Sequence, residues 1–372
     1  MKLGIIKGGQ LGKMLINASS AYSIFTRVMD PSMDAPCRNL CDEFAKGDPG
    51  DFDDVYAFGK KCDVLTFEYE HVNVEALEKL ESEGIVVYPK PHTMKMIQDK
   101  GLQKKFYIEN SIPTADFIFI DKEEDIKNHP DYIPGVLKLR KHGYDGKGIV
   151  KVTAAQIDSK IVHGPSILEK MINFEKEISV IVARNDLGDA KVYPVVEMQS
   201  NPDKNLLDFL FSPADISEKI KNEAEEIALK IANRLDLVGI LAVEMFVTRD
   251  QRVLVNEIAP RPHNTGHHTI EANQTSQYEQ HLRAVLGLPL GQTEAKAAAA
   301  MVNLVGAQGY YGIPKFEGIQ YLSLVEGYYL HIYEKKETKP FRKMGHITIL
   351  DKNIDKAREK ANWIKEKIKV IT

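Results

Sequence analysis

Two glutamates, Glu244 and Glu257, lie in neighbouring apolar runs, Leu241–Thr248 and Val253–Ala259, which are separated by the polar stretch Arg249-Asp250-Gln251-Arg252. Two strand-like runs around a short polar connection predict a hairpin. Counted outward from the centre of that connection, between Asp250 and Gln251, the two glutamates are equally distant. A symmetric hairpin therefore sets them opposite each other, with Cβ atoms about 5 Å apart. Facing carboxylates repel unless they share a proton or a cation neutralises them. Hard oxygen donors at few positions suit Mg²⁺, which keeps its other coordination places for water and nucleotide phosphate. Two rim glutamates on a solvated hairpin face would satisfy the same count. The residues that follow Asn256-Glu257 favour a site: Arg261, His263 and Asn264 are crowded into one irregular turn that ends at Gly266-His267-His268.

Two further stretches have the composition of anion-binding loops. Lys138-Leu-Arg140-Lys141-His142-Gly143-Tyr144-Asp145-Gly146-Lys147-Gly148 places three glycines in six residues among cations. Backbone N–H groups and lysines of such a loop can close over a polyphosphate, although a plain hairpin turn has the same glycines. Near the start, Gly8-Gly9-Gln10-Leu11-Gly12 follows a strand-like run and opens a helix. A dinucleotide site with Asp30 as its ribose acid is one reading, weakened because Lys7 stands where the first glycine of that fingerprint belongs. The helix N-terminus would equally receive another anion, such as a sugar phosphate. Glu68 and Glu70, after the run Val64–Phe67, fall on one face if the strand continues.

These residues need a large scaffold, and 372 residues exceed what one core fills, so two or three domains are expected. With 43% apolar and 27% charged residues the composition is globular, and a net charge of −4 gives no electrostatic case for nucleic acid or an anionic membrane. No apolar stretch reaches the roughly 20 residues of a membrane span. Three cysteines, Cys37, Cys41 and Cys62, point to a reducing cytoplasm rather than a disulfide framework, and Cys37 and Cys41 lack nearby partners for a metal site.

The pattern along the chain predicts α/β and α+β architecture. Strands at Lys2–Ile6, ending at Asp30, and at Cys62–Phe67 alternate with helices in a doubly wound unit that closes at Pro89 and Pro91. A helix-like segment covers Met94–Asn110. A small self-contained pattern between about 112 and 172 has strands at Phe117–Ile120, Gly135–Leu139, Ile149–Val152 and Ser166–Glu169. Strands at Glu177–Val182 and Tyr193–Glu197 follow. A long helix then runs to about Leu235, opened by a capping box of Asp215 and Glu218. Gln277–Val285 is a helix in which His281 reads as structural. The last unit has strands at Ala299–Val305, His331–Tyr333 and Gly345–Leu350 and a terminal helix from Lys356.

With these pieces placed, the chain resembles the ATP-grasp superfamily and, within it, the 5-(carboxyamino)imidazole ribonucleotide synthase family. The resemblance runs over essentially the whole length. It rests on Gly8–Gly12, Phe67-Glu68-Tyr69-Glu70-His71-Val72, Gly143–Gly148, the run from Asn256 to His267, and Arg342-Lys343-Met-Gly345-His346. It implies an ATP-grasp fold with an N-terminal doubly wound pre-ATP-grasp domain (1–98), an ATP-grasp domain (99–295, lid about 112–172) and a small C-terminal domain (296–372). It also implies ATP- and bicarbonate-dependent carboxylation of 5-aminoimidazole ribonucleotide through carboxyphosphate, in purine biosynthesis, by a cytoplasmic homodimer.

By the same resemblance ATP is bound by Lys100, Lys138, the loop Gly143, Tyr144, Asp145, Gly146, Lys147, Gly148 and Ile149, the linker Glu169, Lys170, Met171 and Ile172, and by Glu177, Asn256 and Glu257. Mg²⁺ falls to Glu244 and Glu257. The ribonucleotide falls to Gly9, Gln10, Leu11, Glu70, Tyr144, Lys335 and Arg342, and the reacting centre to Asp145, Lys147, Arg261, His263 and Asn264. The sequence departs from the family pattern at Lys7, Lys100, His142, Ser200 and Thr338. A related ligase with another acceptor would keep Glu244 and Glu257, and a nucleotide-dependent binding protein would respond to no acceptor.

Overall fold

In the computed structural model, described over residues 1–141, 148–156, 163–201 and 206–372, the chain opens with a five-stranded parallel sheet. Its strands are β1 (Lys2–Ile6), β2 (Phe25–Asp30), β3 (Glu43–Lys46), β4 (Val64–Phe67) and β5 (Val86–Val87), in the order β3-β2-β1-β4-β5. Helices α1 (Gln10–Ser19), α2 (Phe52–Gly59) and α3 (Val74–Ser82) make the crossovers. The strand order reverses beside β1, so the crevice for a ligand lies past the carboxyl ends of β1 and β4, at Lys7–Gln10 and Glu68–Glu70. The sequence reading missed β3, a four-residue edge strand with charged ends and no fully buried residue.

The segment read as one helix over Met94–Asn110 is two, α4 (Pro91–Ile97) and α5 (Lys100–Glu109). Asp99 separates them because its carboxylate accepts hydrogen bonds from the amides of Gly101 and Leu102, the cap that starts α5. Next come β6 (Phe117–Ile120), α6 (Glu123–Lys127), β7 (Gly135–Leu139), β8 (Ile149–Val152) and β9 (Ser166–Lys170). The four strands form an antiparallel sheet in the order β6-β9-β7-β8, close to the expected limits.

The remaining strands are β10 (Phe174–Arg184), β11 (Ala190–Val192), β12 (Val196–Asn201), β13 (Leu206–Ser212), β14 (Gly239–Thr248), β15 (Val253–Ala259), β16 (Ala298–Val305), β17 (Lys315–Glu317), β18 (Tyr328–Ile332), β19 (Lys343–Asp351) and β20 (Lys369–Ile371). Nine of them make one sheet in the order β15-β14-β10-β12-β13-β16-β19-β18, with β11 on β10. The pairing of β13 with β16 carries this sheet from the body into the C-terminal unit without a break. Of the single strand expected over Tyr193–Glu197, only Val196 and Glu197 belong to one, β12; Tyr193–Val195 make the gap between β11 and β12. Pro194 lies in the gap and has no N–H for a ladder.

Behind the large sheet lies α7 (Glu218–Arg234), followed later by α8 (Thr269–Ala272), α9 (Gln277–Val285) and α10 (Ile354–Lys367). Ile220, Ile227 and Ile231 of α7 pack on Val180, Leu241, Val243, Val255 and Ile258, which fixes the apolar face of the sheet and turns the other face to the cleft. The expected cap of α7 is corrected. Ser217, not Asp215, accepts the hydrogen bond from the Ile220 amide, while Asp215 turns away to Lys176. Ser217→Ala is therefore expected to lower stability by about 1 kcal/mol in urea unfolding. Asp215→Ala, which breaks only an exposed ion pair, should change it by less than about 1 kcal/mol.

Candidate active site

The strands β14 and β15 do pair Glu244 with Glu257, but not by simple symmetry. Near the turn the register is Val247 with Val253 and Met245 with Val255, which on its own would set Glu244 against Asn256. The register shifts at this point and leaves Asn256 as an extra residue, a β-bulge, so that Glu257 becomes the partner. The bulge has a second effect. Val253, Val255 and Ile258 face the α7 core whereas Ala259 joins a cluster on the opposite side, so Asn256 and Glu257 fall consecutively on the cleft face. Alternation without a bulge would have buried one of them. Glu177 is on that face too, across from Phe246 and one step diagonal to Glu244.

Lysines meet these oxygens. Lys100, on the first turn of α5, is 2.9 Å from Glu257 Oε1. Lys138, on β7, donates to Asn256 Oδ1 at 3.0 Å and is 2.7 Å from Glu169 Oε2. The other oxygen of Glu169 lies 2.7 Å from Lys104. The electrostatic outcome is lopsided. The Lys100 ammonium draws the Glu257 carboxyl down to about 2, while burial, then the charges of Glu257 and Glu177, push Glu244 up to about 7. Two adjacent acids displaced in opposite directions mark a like-charge pair of which only one member has a cation. Burial also raises Glu177, whose carboxylate accepts from Ser200 Oγ at 2.8 Å.

Past β15 the chain turns sharply. Arg261 reaches back to Glu70, 2.5 Å away, and ties the large sheet to the crevice of the parallel sheet. His263 Nε2 is 3.7 Å from Glu244 Oε1. Burial, together with the Arg261 and Lys343 charges, lowers the ring to about 3, so this is a contact between a carboxyl group and a neutral imidazole, not an ion pair. Because Nδ1 accepts from the Thr265 amide at 3.4 Å, the ring proton is assigned to Nε2, the atom facing Glu244. The buried side chain of Gln277 fixes the turn: its amide donates to His263 O at 2.7 Å and its oxygen accepts from His263 N at 2.9 Å. Asn264 is 8% exposed, and neither polar atom of its side chain has a hydrogen-bond partner among the described residues.

At the parallel sheet the free helix terminus foreseen for an anion is already in use. Glu68 accepts from the amides of Gly9 and Gly12 at 2.5 and 2.6 Å, and it lies so close that a Cβ on Gly9 would come within 2.5 Å of its oxygen. The dinucleotide reading fails for a similar reason: Asp30 accepts from Gly8 N at 2.9 Å and Ser32 N at 2.8 Å and sits 3.4 Å from Lys7. Lys7 itself has φ +78, a left-handed conformation that costs a side-chain-bearing residue about 1 kcal/mol relative to glycine. The C-terminal unit closes on the same place. Lys13 of α1 is 2.9 Å from Glu334 and donates to Ile332 O, and His346 stacks between His331 and His267 with centroids 4.4 and 4.7 Å apart.

Models of three families match this chain: a ribonucleotide synthetase preATP-grasp domain over residues 1–98, an ATP-grasp domain over 105–278, and a phosphoribosylaminoimidazole carboxylase C-terminal domain over 299–360. The N5-carboxyaminoimidazole ribonucleotide synthase of Bacillus subtilis is 36% identical over 98% of this chain and 93% of its own length. The chain belongs to the N5-carboxyaminoimidazole ribonucleotide synthase family. Members of that family are ATP-dependent ligases. A crystal structure of the Thermotoga maritima synthetase superposes with a TM-score of 0.92 at 41% identity, covering 100% of this chain and 99% of that one. A structure from Aspergillus clavatus, in complex with ADP and 5-aminoimidazole ribonucleotide, gives 0.89 at 29% identity over 98% and 97%. Of the longer chloroplastic phosphoribosylaminoimidazole carboxylase of Vigna aconitifolia, 38% identical, the chain spans 64%.

Set against this family's frame, the residues singled out in the sequence separate into groups. Lys100, Lys138, Glu169, Asn256, Glu257, Glu244 and His263 are joined by the contacts above. Gly143, Tyr144, Asp145, Gly146 and Lys147 lie outside the described residues, while Gly148 and Ile149 lead into β8 beside Lys138. Lys170 does not turn to the cleft: its ammonium lies over Tyr132 and near Asp116 and Asp131. Met171 is exposed and Ile172 part-buried, so this linker offers backbone more than polar side chains. Gly9, Gln10 and Leu11 form the start of α1. Lys335 donates to Lys343 O and Arg342 to Glu337 O, both in the β18–β19 connection next to the Lys13–Glu334 pair. Sequence reading missed Lys104 and Gln277, and it named Lys343 only as the neighbour of Arg342 in the C-terminal motif. Lys104 follows Lys100 by one helical turn, a spacing that would have revealed it. No local signal marks Gln277.

Proposed function

We propose that this cleft carries out ATP- and bicarbonate-dependent carboxylation of 5-aminoimidazole ribonucleotide, with the nucleotide at the Glu244–Glu257 end and the ribonucleotide between α1 and the β18–β19 connection. The observation that carries this reading is the facing Glu244–Glu257 pair beside Lys100, Lys138 and Asn256. The donor set fits Mg²⁺, since carboxylate oxygens from two adjacent strands face one space and lack one cation between them. Bound there, the ion would neutralise charge on the β- and γ-phosphates.

The first step joins a bicarbonate oxygen to the γ-phosphorus and breaks the bond to ADP, giving carboxyphosphate. Lys138 and Arg261 supply positive charge where the transferring group gains negative charge, and Lys147 is assigned to the same task. In the second step the ribonucleotide amine attacks the carboxyl carbon, phosphate leaves, and the nitrogen loses a proton. His263 presents Nε2–H to this space as a donor, and the buried amide of Asn264 offers both a donor and an acceptor for bicarbonate or the amine. Asp145 is assigned to the same centre. Arg261, held by Glu70 and close enough for its charge to act on His263, stands between the two ends.

Phosphate release from ATP tests this. It should need Mg²⁺ and should rise severalfold when ribonucleotide and bicarbonate are supplied together. Arg342→Ala should raise the KM for ribonucleotide by about tenfold with little change in that for ATP. If ribonucleotide leaves the rate of phosphate release unchanged, the assignment of the acceptor is wrong.

A further inference from the structure

Lys104 belongs to no group assigned above, yet it is among the most enclosed cations of the described residues, 2% exposed on the face of α5 that meets the cleft. Its ammonium lies 2.7 Å from Glu169 Oε1 and donates to Thr114 Oγ1 at 2.6 Å. The Thr114 hydroxyl in turn donates to Val255 O at 2.8 Å, and Val255 N donates to Pro113 O at 2.8 Å, beside the bulge at Asn256. On the other side Glu169 holds Lys138, and Lys138 donates to Asn256. The contacts close a ring: Lys104, Glu169, Lys138, Asn256, Val255, Thr114 and back to Lys104. Three structural parts meet in it, the body helix α5, the small sheet through β7 and β9, and the hairpin strand β15.

Burying an ammonium is costly unless it is fully partnered, and a packing role alone would be met by leucine or methionine. The ring gives the charge a task. Glu169 would otherwise turn both oxygens to Lys138 and draw it away from the nucleotide. By taking one oxygen, Lys104 leaves Lys138 a single carboxylate contact and the direction set by Asn256. We propose that Lys104 is a positioning residue for the nucleotide: through Glu169 and Thr114 it sets where the Lys138 ammonium points and how the small sheet seats on the bulged strand. This rests on the reading of Lys138 as a phosphate contact, and it concerns nucleotide binding, not the acceptor.

ADP binding, measured by titration calorimetry with Mg²⁺ and no ribonucleotide, isolates the claim from the carboxylation reading. Lys104→Met should weaken ADP about 10- to 100-fold, the range typical when a supporting partner of a binding group is lost. The KM for ATP should rise in parallel and kcat should fall with it, because Lys138 also faces the transferring group, while the KM for ribonucleotide stays unchanged. Lys104→Arg, which keeps the charge, should recover most of the affinity. Thr114→Val, which removes only the hydroxyl that orients the ammonium, should weaken ADP about threefold to tenfold, and it serves if Lys104→Met does not fold. Native ADP affinity in a folded Lys104→Met, or in Thr114→Val where the first variant is unfolded, overturns the proposal. So does a loss confined to kcat. Wild-type phosphate release that ignores ribonucleotide would sink the acceptor assignment and leave this one standing.

Discussion

Glu257→Gln should lower kcat at saturating ATP and Mg²⁺ by about 10³-fold or more, while the protein stays folded. The substitution keeps the side chain's size and removes its charge. Glu257 is the acid of the pair that stays ionised, drawn down to about 2 by Lys100, so its loss leaves Lys100 without its carboxylate and the nucleotide end one negative charge short. Electrostatic groups aimed at a transferring phosphoryl each contribute about 10²–10³ in rate, and a lost metal ligand disturbs more than one of them. Glu244→Gln should be similarly damaging, and the double variant should be little worse than either if the pair holds one ion as proposed, since groups that act as a unit are not additive. Steady-state phosphate release with ribonucleotide, beside a thermal melt, checks all three. Retention of more than a tenth of wild-type kcat by Glu257→Gln would remove the case for this pair as the metal site.

Acidification from pH 7 to pH 5 should destabilise the protein through its enclosed histidines. His268 and His281 are buried and His263 is half-buried, and the three are held neutral to about 4, 3 and 3, chiefly by desolvation. His267 and His346 are shifted the same way. His281 shows the structural reason: Nδ1 accepts from Ile240 N at 3.2 Å and Nε2 meets Thr66 Oγ1 at 2.8 Å, leaving nothing for a second ring proton to bind. The sign follows from the lowered values. Below pH 6.5 the unfolded chain takes up protons that the folded one refuses, so stability present above that pH falls as the solution is acidified. From pH 7 to pH 5 the three rings with stated values contribute a loss on the order of 5 kcal/mol, of which Glu244, raised to about 7 in the folded state, returns roughly 2 by taking up a proton there; the net fall is still a sizeable part of a domain's total. Urea unfolding across that range should show a steep fall, and His281→Gln should make it shallower by about one proton. A flat midpoint between pH 7 and pH 5 would contradict the neutral, buried imidazoles.

How much of this was legible in the sequence depended on whether the signal was local. Short strands dominated by apolar residues, such as β1, β6 and β7, were readable to the residue, and so was His281 as a structural group. The charged edge strand β3 was not, because edge strands carry little periodicity, and the gap around Pro194 was read through as apolar strand. The pairing of Glu244 with Glu257 came out right from a symmetric count, but the reason was wrong. The turn is centred half a residue earlier than assumed, and the bulge at Asn256 restores the match. A bulge leaves no composition signal beyond two polar residues in succession, Asn256-Glu257, which alternation alone would not allow on one face. The Glu68 carboxylate on α1 was hidden for another reason: it reaches its partners across 56 and 59 positions of sequence. Resemblance assigned Lys100 and Lys138 to one end of the site, yet the ring through Lys104 and Thr114 exists only once the three parts are assembled.

The large sheet has a mechanical consequence. Its ladder runs from β15 through β13 and β16 to β18, so the C-terminal unit is bonded in series with the strand that bears Glu257, and prising it away would mean unzipping a full strand pair. The small sheet is seated differently. Its stretch of chain meets that ladder through the isolated backbone bridge of Thr114 with Val255, the Thr114 hydroxyl on Val255 O and the Lys138 ammonium on Asn256. The four-strand sheet is therefore fastened to the nine-strand one far more lightly than the C-terminal unit is, and its side-chain fastenings cluster beside the bulge.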